Sequence, residues 1–197
     1  HHERRHMRYD WTMNLRSEEE EAPGESPKDT PFIVRPGKRN DAEDAARLWI
    51  QSAEEHTLYD VVYSTALDAE KVMRRFLADL SSSNHSCLFV AERAGKVIGF
   101  LSGELREGSL TFKPKTWAAI EDVYVAPDYR SSGVGRALFD EFQKWAKEKS
   151  AHGVSLQVAA GNTRARKLYE ELGFREVSIY QVKEFWSTSS VENKADR

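Results

Sequence analysis

The chain has 197 residues, 40% of them hydrophobic and 31% charged, a balance typical of one soluble domain with a sizeable core. Its formal net charge of −3 argues against nucleic acid as the main partner, because phosphate binding needs clustered lysine and arginine. No apolar run approaches the roughly 18 residues of a membrane span and the N-terminus is too polar for a signal peptide, so a membrane partner is not expected either.

Cysteine and histidine usage argues against disulfide and metal chemistry. Cys87 is the only cysteine, which excludes an internal disulfide and fits a reducing cytoplasm. It stands in the apolar run CLFVAE, which favours a buried packing role over a nucleophilic one. The six histidines show no metal-ligand spacing beyond the first six residues. The sequence therefore predicts a cytoplasmic protein without a metal.

Two polar segments flank the predicted folded unit. Residues 1–30 begin with HHERRHM, which resembles an expression-tag remnant, and carry the acidic run from Glu18 to Glu21. This segment is predicted to be a flexible arm. Residues 187–197 lack apolar periodicity and are predicted to be a C-terminal tail. One folded domain is expected over residues 31–186.

The first half of this unit is predicted to contain a strand, two helices and a hairpin. PFIVRP is a short strand, and RNDAEDAARLWIQSAEEH is a helix that begins with a capping box of Asn40 and Glu43. CLFVAERAGKVIGFLSGELRE is a hairpin that turns at Ala94 and Gly95. LDAEKVMRRFLADL is a second helix whose core-facing stripe is Val72, Met73, Phe76, Leu77 and Leu80.

The second half alternates strands and helices. WAAIEDVYVAP is a strand that stops at Pro127, VSLQVA is another strand, and EVSIYQVKEF is a last strand that completes the sheet. The helix that follows the strand WAAIEDVYVAP is predicted to end with Gly153 as its C-cap. Its apolar stripe is Val134, Leu138, Phe142 and Trp145. The helix NTRARKLYEELGF ends at Gly173 and has the apolar face Ala165, Leu168, Tyr169 and Leu172. This order predicts a single α/β domain with a mixed, mostly antiparallel sheet and one parallel crossover.

The stretch YVAPDYRSSGVGRALFDEF joins a strand to a helix through two glycines, Gly133 and Gly135. A helix N-terminus preceded by glycines offers free N–H groups to a phosphate, and Arg130 and Arg136 add positive charge. Glycines at such a turn are explained equally well by backbone geometry alone.

This stretch does not match either of two common nucleotide-binding motifs. A dinucleotide fingerprint requires glycine or alanine where the chain has Leu138, and an acidic residue after the next strand. A P-loop requires Gly-Lys-Ser/Thr where the chain has Gly135, Arg136 and Ala137. A Rossmann-type oxidoreductase is therefore not supported.

VYVAPDYRSSGVGRAL resembles the acetyl-CoA-binding motif of the GNAT superfamily of N-acetyltransferases, Arg/Gln-x-x-Gly-x-Gly/Ala, with Arg130 in the first position. Asn162, Ala165 and the segment LYEELGF follow at the superfamily's spacing, and IVRPGKRND and FVAERAGKVIGF are similar to its first strand and second hairpin. The resemblance spans residues 32–185. It implies the GNAT fold, in which the parallel strands splay apart between about four flanking helices, and acetyl-CoA as co-substrate.

The resemblance also implies a set of cofactor contacts. Backbone groups of Val123, Tyr124 and Val125 would pair with the pantetheine arm as an added strand would. Asn162 would contact the cofactor beside its role as a helix N-cap, and Ala165 belongs to the same helix start. The pyrophosphate would be held by the loop residues Arg130, Ser131, Ser132, Gly133, Val134, Gly135 and Arg136.

Three residues are implied as catalytic. Tyr169 matches the general acid that protonates the departing thiolate, although it can also simply complete the apolar helix face. In polyamine-acetylating members Glu121 matches a base and Asp122 an acidic position that attracts the substrate. Adjacent residues of a strand point to opposite faces, so only one of the two is expected in the cleft. Gln157 stands where members that acetylate protein N-termini place a base, and glutamine cannot act as one.

The sequence thus favours an N-acetyltransferase that works by direct attack within a ternary complex, since Cys87 has no recognisable base beside it for a covalent route. The expected acceptor is a small cationic amine, polyamine-like, or a peptide or protein amine. Acidic residues at the end of the first helix either attract that amine or form an exposed helix end: Glu54, Glu55 and Asp60, with His56 beside them. The alternative is a non-catalytic acyl-CoA-binding regulatory domain on the same fold. A homodimer is one assembly to expect, because dimers are common in the superfamily.

Overall fold

The structure is a computed structural model that describes residues 31–108, 113 and 115–185; the predicted arm at 1–30 and tail at 187–197 lie outside these residues. The strands are β1 (Ile33–Pro36), β2 (Ser86–Arg93), β3 (Lys96–Glu107), β4 (Thr116–Val125) and β5 (Gly153–Ser155), and the helices are α1 (Ala42–Thr57), α2 (Ala69–Leu80), α3 (Val134–Glu148) and α4 (Thr163–Glu171).

The sheet has five strands in the order β1-β2-β3-β4-β5. The first four are antiparallel to their neighbours, and β4 and β5 are parallel. This arrangement confirms the predicted α/β domain with a mostly antiparallel sheet and one parallel pair. The hairpin turn is also confirmed, since Ala94 and Gly95 both have positive φ, 49° and 76°, as a tight two-residue hairpin turn requires.

The parallel pair is short and leaves most of one strand edge bare. β5 pairs only with residues 117–119 of β4, whereas β4 continues to Val125. At about 3.3 Å per residue, residues 120–125 present about 20 Å of strand edge without a β5 partner. The two strands therefore diverge beyond Ala119, as the predicted splay requires.

A β-bulge in β4 lies where this divergence begins. Ser102 of β3 pairs with Asp122 and Gly103 pairs with Ile120, so Glu121 between them has no partner on β3. Gly103 allows the close approach on the other side of the strand pair, because a Cβ there would lie 2.5 Å from the carbonyl oxygen of Ala119. A bulge bends and twists its strand, and this one lies two residues beyond Ala119, the last residue of β4 that pairs with β5.

Two apolar clusters cover the two faces of the sheet. On one face α1 and α2 pack over Leu88, Val90 and Phe100, and on the other α3 packs over Phe89, Ile98 and Leu101. Cys87 is buried in the second cluster, and burial raises the pKa of its thiol to about 12. Its predicted packing role is confirmed.

The start of α1 differs from the predicted capping box. Asp41, rather than Asn40, precedes the helix, and its carboxylate accepts from the backbone N–H of Lys38 at 2.6 Å. The same carboxylate pairs with Arg35 of β1, and Glu43 pairs with Arg47 instead of capping. The prediction of a capping box of Asn40 and Glu43 was wrong. Arg35 of β1 forms an ion pair with Asp41 instead, and the helical pattern of α1 does not reveal this partner.

The helix stripes are confirmed in part. Val134, Leu138 and Phe142 of α3 are buried and Trp145 packs against them, but Gly153 is not the C-cap. The helix ends at Glu148, where Ser150 takes the left-handed conformation with φ 58°. In α2, Leu77 and Leu80 are buried and Met73 packs on the core, whereas Val72 and Phe76 are exposed by 58% and 37%. The α2 stripe is thus narrower than predicted.

The predicted last strand is absent. Residues 175–184 take no regular secondary structure, and the sheet ends at β5. The predicted strand VSLQVA is likewise shortened, since only its first two residues, Val154 and Ser155, belong to β5. The prediction of a last strand was wrong because an alternating pattern indicates the strand character of a segment but does not supply a strand for it to pair with.

Candidate active site

The loop before α3 presents a row of unpaired backbone donors. Gly133 takes φ 86° and Ser131 takes φ 63°, and this geometry turns the chain into the helix. The first intrahelical bond of α3 runs from the N–H of Ala137 to the carbonyl of Gly133. No backbone N–H from Ser131 to Arg136 bonds to another described residue. Six consecutive donors at a helix N-terminus form a cradle for an anion.

Two arginines stand by this cradle with their charges available to it. Arg136 is exposed in the first turn of α3. Arg164 of α4 donates from Nη2 to the hydroxyl of Ser131 at 3.2 Å, which the sequence analysis did not anticipate. Together they add two positive charges to the partial positive charge of the helix terminus.

The guanidinium of Arg130, in contrast, is directed away from the cradle. Its Nη2 lies 2.7 Å from Oε1 of Glu55 in α1, and its Nε donates to the carbonyl of Val125 at 2.9 Å. It also stacks on the ring of Tyr124, 5.0 Å from the centroid. The contact of Arg130 with the pyrophosphate stays a prediction, and in the structure its guanidinium pairs with Glu55.

Glu55, Tyr124 and Arg130 form one network between α1 and β4. The Tyr124 hydroxyl donates to the same Glu55 oxygen at 2.7 Å. Burial would raise the pKa of Glu55, but the hydrogen bonds from Arg130 and Tyr124 outweigh it and hold the pKa below its ordinary value. Burial and the Glu55 carboxylate raise the pKa of Tyr124 well above its ordinary value. Tyr124 was predicted to act through its backbone alone.

The edge of β4 that carries Val123, Tyr124 and Val125 is the bare edge described above. It leads from the bulge at Glu121 to the short turn at Pro127–Tyr129 and then to the cradle. Such an edge offers backbone donors and acceptors to an extended ligand. The predicted strand segment and the predicted loop are therefore continuous in space.

The bulge brings Glu121 and Asp122 to the same face of the sheet. Asp122 contacts Trp49 of α1, and Glu121 lies 2.8 Å from Nη2 of Arg106 on β3. Ser102, Glu104 and Arg106 are spaced two residues apart along β3, so their side chains all lie on the face of the sheet that α1 and α2 cover. The expectation that only one acidic side chain faces the cleft was wrong, because the strict alternation on which it rested is broken at Glu121.

Asp122 is held by neutral donors. It accepts from Nε1 of Trp49 at 2.8 Å and from the hydroxyl of Ser102 at 3.5 Å, and no lysine or arginine of the described residues pairs with it. Burial raises its pKa above the ordinary value, opposed by those two hydrogen bonds and by His56. A carboxylate that lacks a cationic side chain in a cleft is suited to an incoming ammonium group.

Glu121 has a different environment. Its ion pair with Arg106 is short, but the angles of that contact fall outside those of a good hydrogen bond. Burial raises the pKa of Glu121, Arg106 opposes this, and the neighbouring charges of Glu104 and Asp122 raise it further. The guanidinium also pairs with Glu104, so one cation is shared between two carboxylates.

Tyr169 lies on α4, on the far side of the splay. Its ring packs edge-on against Phe174 at 5.7 Å between centroids, and burial raises its pKa above the ordinary value. The hydroxyl makes no hydrogen bond to another residue of the part of the chain that the structure describes. It is thus protonated at neutral pH and has its donor free.

Asn162 caps α4 as predicted, since its side-chain oxygen accepts from the N–H of Ala165 at 3.1 Å. Gln157 is exposed and follows the end of β5. Within the described part of the chain, no group of three or more metal-ligating side chains is placed to hold a metal ion. None of the helices there is long and apolar enough to cross a membrane.

Sequence reasoning missed Trp49, Ser102 and Arg164. The sequence analysis treated Trp49 only as part of the first helix, and an indole at a helix position that faces a strand acid could have signalled its donor role. Ser102 was passed over within the hairpin, although it is a fully buried polar residue. Arg164 carries no local signal, because its partner is 33 residues away.

Comparison with known proteins identifies the family to which this chain belongs. The sequence profile of the Acetyltransferase (GNAT) family matches residues 42–174. A protein of Methanocaldococcus jannaschii, named as an uncharacterized N-acetyltransferase, is 26% identical over 148 residues, which are 75% of this chain and 62% of that protein. The chain thus spans less than two thirds of that relative's length.

Solved structures show the same fold. A mutant of the BH1408 protein of Bacillus halodurans superposes with a TM-score of 0.71 at 23% identity, over 78% of this chain and 99% of that chain. The aminoglycoside N-acetyltransferase AAC(6')-Iy, in complex with a CoA-acetylneamine bisubstrate analogue, superposes with a TM-score of 0.61 at 22% identity, over 78% and 99% of the two chains. The chain belongs to the acetyltransferase (GNAT) family, a family of acetyl-CoA-dependent acyltransferases.

Proposed function

We propose that the chain transfers the acetyl group of acetyl-CoA to the primary amine of a small cationic acceptor, by direct attack within a ternary complex. The observation that carries the proposal is the continuity between the bare edge of β4 and the six free amides before α3. An extended amide-bearing arm that ends in a pyrophosphate needs such an edge followed by such a cradle.

The residues present fit acetyl-CoA. Backbone groups of residues 123–125 would pair with the pantetheine arm, and the amides from Ser131 to Arg136 would hold the pyrophosphate. Arg136 and Arg164 would supply positive charge to the pyrophosphate, because the guanidinium of Arg130 is paired with Glu55. Asn162 and Ala165 form the start of α4 across the splay. Acetyl-CoA itself supplies the thioester that is cleaved.

The acceptor must lose a proton before it can attack. An amine with a pKa of about 10.4 is neutral at pH 7 only about once in 2,500 molecules, a cost of about 4.6 kcal/mol. Asp122 attracts the ammonium group and takes its proton, directly or through a water. A raised pKa makes it a stronger base than an exposed aspartate. Glu121, shared with Arg106, adds negative charge beside it.

Tyr169 completes the transfer. The neutral amine nitrogen attacks the thioester carbon, the carbon–sulfur bond breaks, and the sulfur leaves with its electron pair. The nitrogen then carries one proton more than the amide product and releases it to solvent. The Tyr169 hydroxyl donates its proton to that thiolate and regains one from solvent afterwards. Its unoccupied donor and raised pKa support this role, although packing against Phe174 alone also explains the ring's position.

The acceptor class follows from charge. Glu55 and Glu121 have arginine partners, which leaves Asp122 as the cleft carboxylate that can receive a cation. The AAC(6')-Iy structure contains an acetylneamine portion in its bisubstrate analogue, and a polycationic amine acceptor is consistent with the site described here. We therefore extend the proposal to polycationic amines such as polyamines and aminoglycosides.

Release of free coenzyme A thiol tests the proposal. The full chain is mixed with acetyl-CoA and, separately, spermidine, an aminoglycoside, a lysine-containing peptide and a peptide with a free N-terminus. Thiol release that depends on a polycationic amine, and that falls in Asp122→Asn but not in the exposed Asp140→Asn control, is expected. Saturable coenzyme A binding without release for any amine would overturn the proposal in favour of a non-catalytic acyl-CoA-binding domain.

A further inference from the structure

A buried arginine at the end of β2 has no role in the chemistry proposed above. Arg93 has 6% of its surface exposed and is the only buried charged residue in the part of the chain that the structure describes. Phe89 and Ala91 precede it at two-residue spacing and pack on the α3 face of the sheet, so Arg93 lies on that face too. Charged side chains are rarely buried unless neighbouring groups compensate the loss of hydration.

Two aromatic rings flank the guanidinium of Arg93. Its Cζ lies 5.4 Å from the ring centroid of Tyr129 and 5.8 Å from that of Phe32. Both distances are within the range of a cation–π attraction, which is stronger in a site that excludes water. Phe32 stands directly before β1, and Tyr129 ends the turn that leads into the anion cradle. Arg93 therefore connects the β1 side of the sheet to that turn.

The position of Tyr129 determines where the cradle begins. Its backbone N–H donates to the carbonyl of Ala126 at 2.9 Å, and its carbonyl accepts from the hydroxyl of Ser132 at 2.6 Å. Between Tyr129 and Ser132, Ser131 takes the left-handed conformation with φ 63°. A displacement of Tyr129 would therefore move the first free amides of the cradle.

The turn is held from both faces of the sheet. Tyr129 packs on the α3 face beside Arg93, whereas the next residue, Arg130, pairs with Glu55 of α1 on the opposite face. The N–H of Ala126 also donates at 2.9 Å to the carbonyl of Ile98, which has no partner on β2 at a bulge. A loop that is fixed before its ligand arrives loses less conformational entropy on binding.

We propose that Arg93 is a positioning residue for acetyl-CoA, which holds Tyr129 so that the free amides from Ser131 to Arg136 face the pyrophosphate. The inference rests on the proposed cofactor site. Arg93 acts through the ring of Tyr129 and not by contact with the cofactor, so its contribution is to the affinity for coenzyme A and not to the chemical step. An apolar side chain could fill the same space, but it would not attract the two rings as a guanidinium does.

Titration calorimetry of the full chain with coenzyme A tests the contact between Arg93 and Tyr129. Arg93→Met and Tyr129→Leu are each expected to weaken binding by about tenfold. The double variant should bind no more weakly than the weaker single variant, because both substitutions remove the same contact. This comparison isolates the ring contact from any other contact of Arg93. Tyr129→Phe keeps the ring and should keep the affinity within about twofold.

Arg35→Met is the matched control for a general loss of stability. Arg35 is a strand arginine of the same sheet that pairs with Asp41 and Glu92. Its substitution should lower Tm, as Arg93→Met also should, and yet leave the affinity for coenzyme A unchanged. In turnover assays Arg93→Met should raise the KM for acetyl-CoA by about tenfold without a change in kcat, as expected for a loss of binding that is equal in the ground and transition states.

The possible results separate this inference from the proposed function. If wild type binds coenzyme A and both Arg93→Met and Tyr129→Leu bind it equally well, the inference is wrong and the proposed function stands. Equal losses of affinity in Arg35→Met and Arg93→Met, or losses that multiply in the double variant, would also overturn it. A wild-type chain that does not bind coenzyme A would overturn both proposals. If Arg93→Met does not fold, the comparison of Tyr129→Leu with Tyr129→Phe still decides, since equal affinities in these two variants contradict the role of the ring.

Discussion

Arg130, in the loop that leads to the anion cradle, donates to Glu55 in the last turn of α1, with Nη2 2.7 Å from Oε1. The pair ties the helix that borders the acceptor cleft to the segment that would hold acetyl-CoA. One arginine therefore fixes the relative position of the two regions that are proposed to bind the substrates.

A double-mutant cycle of Glu55→Gln and Arg130→Met should give a coupling free energy of about 1 kcal/mol at pH 7, the upper range for partly exposed pairs. Each single variant should lower Tm by about 2–4 °C. Since the pKa of Glu55 lies below its ordinary value, the coupling is present above the ordinary carboxyl range and is lost as the pH falls through the lowered pKa. The exposed pair of Glu43 and Arg47 is the control, with an expected coupling free energy of about 0.3–0.5 kcal/mol. Equal coupling free energies for the two pairs would contradict the role of Arg130 and Glu55 in connecting α1 to the loop.

Gly133→Ala should weaken acetyl-CoA binding by at least about tenfold, because a Cβ would project into the space beside the free amides. Gly95→Ala is a matched control, since both glycines have positive φ and neither Cβ would meet another atom within 4 Å. Both variants should lose about 1–2 kcal/mol of stability from left-handed strain. Titration calorimetry with coenzyme A separates them, and equal affinities in the two variants would place the cofactor elsewhere.

Tyr169→Phe should lower kcat by about 100-fold with little change in the KM for acetyl-CoA, because proton donation to the thiolate is lost while binding is kept. The raised pKa of Tyr169 means that loss of its proton should not reduce wild-type activity below about pH 10. Tyr180→Phe removes a hydroxyl from an exposed tyrosine and should leave kcat unchanged. An unchanged kcat in Tyr169→Phe would assign the ring to packing alone.

Asp122→Asn should reduce kcat/KM by about 100-fold and yet raise Tm at pH 7. Burial raises the pKa of Asp122 above its unfolded value, so the ionised group makes the folded state less stable as pH rises through that window. The difference in Tm between wild type and variant should shrink as the pH falls through the raised pKa, and should vanish below the ordinary aspartate pKa of about 3.9, where both states bind the proton. A variant that is less stable than wild type at pH 7 would show that the ionised carboxylate of Asp122 does not destabilise the folded state.

Local patterns account for what the sequence could predict. The Gly133 and Gly135 loop, the Ala94 and Gly95 turn and the Asn162 cap each depend on a few neighbouring residues, and all three occur where predicted. The order of strands and helices follows from periodicity in the same way. These features are decided by backbone geometry that a short stretch of sequence specifies.

Features that depend on distant partners could not be predicted in this way. The bulge at Glu121 results from register against β3, and no pattern within β4 marks it. The side chain of Arg130 could reach either a phosphate or Glu55, and the position of α1 decides between them. The segment after Phe174 has a strand-like pattern but forms no strand, because a local pattern does not supply a pairing partner.

The order of strands in the sheet bears on how the domain folds. β2, β3 and β4 are consecutive in the chain and pair as a meander, so their contacts close short loops at low entropic cost. The parallel pair of β4 and β5 can form only after α3 has crossed over the sheet. We expect the meander to gain protection first in pulse-labelled refolding and the β4–β5 junction last. The proposed active-site cleft would then be assembled in the final step of folding.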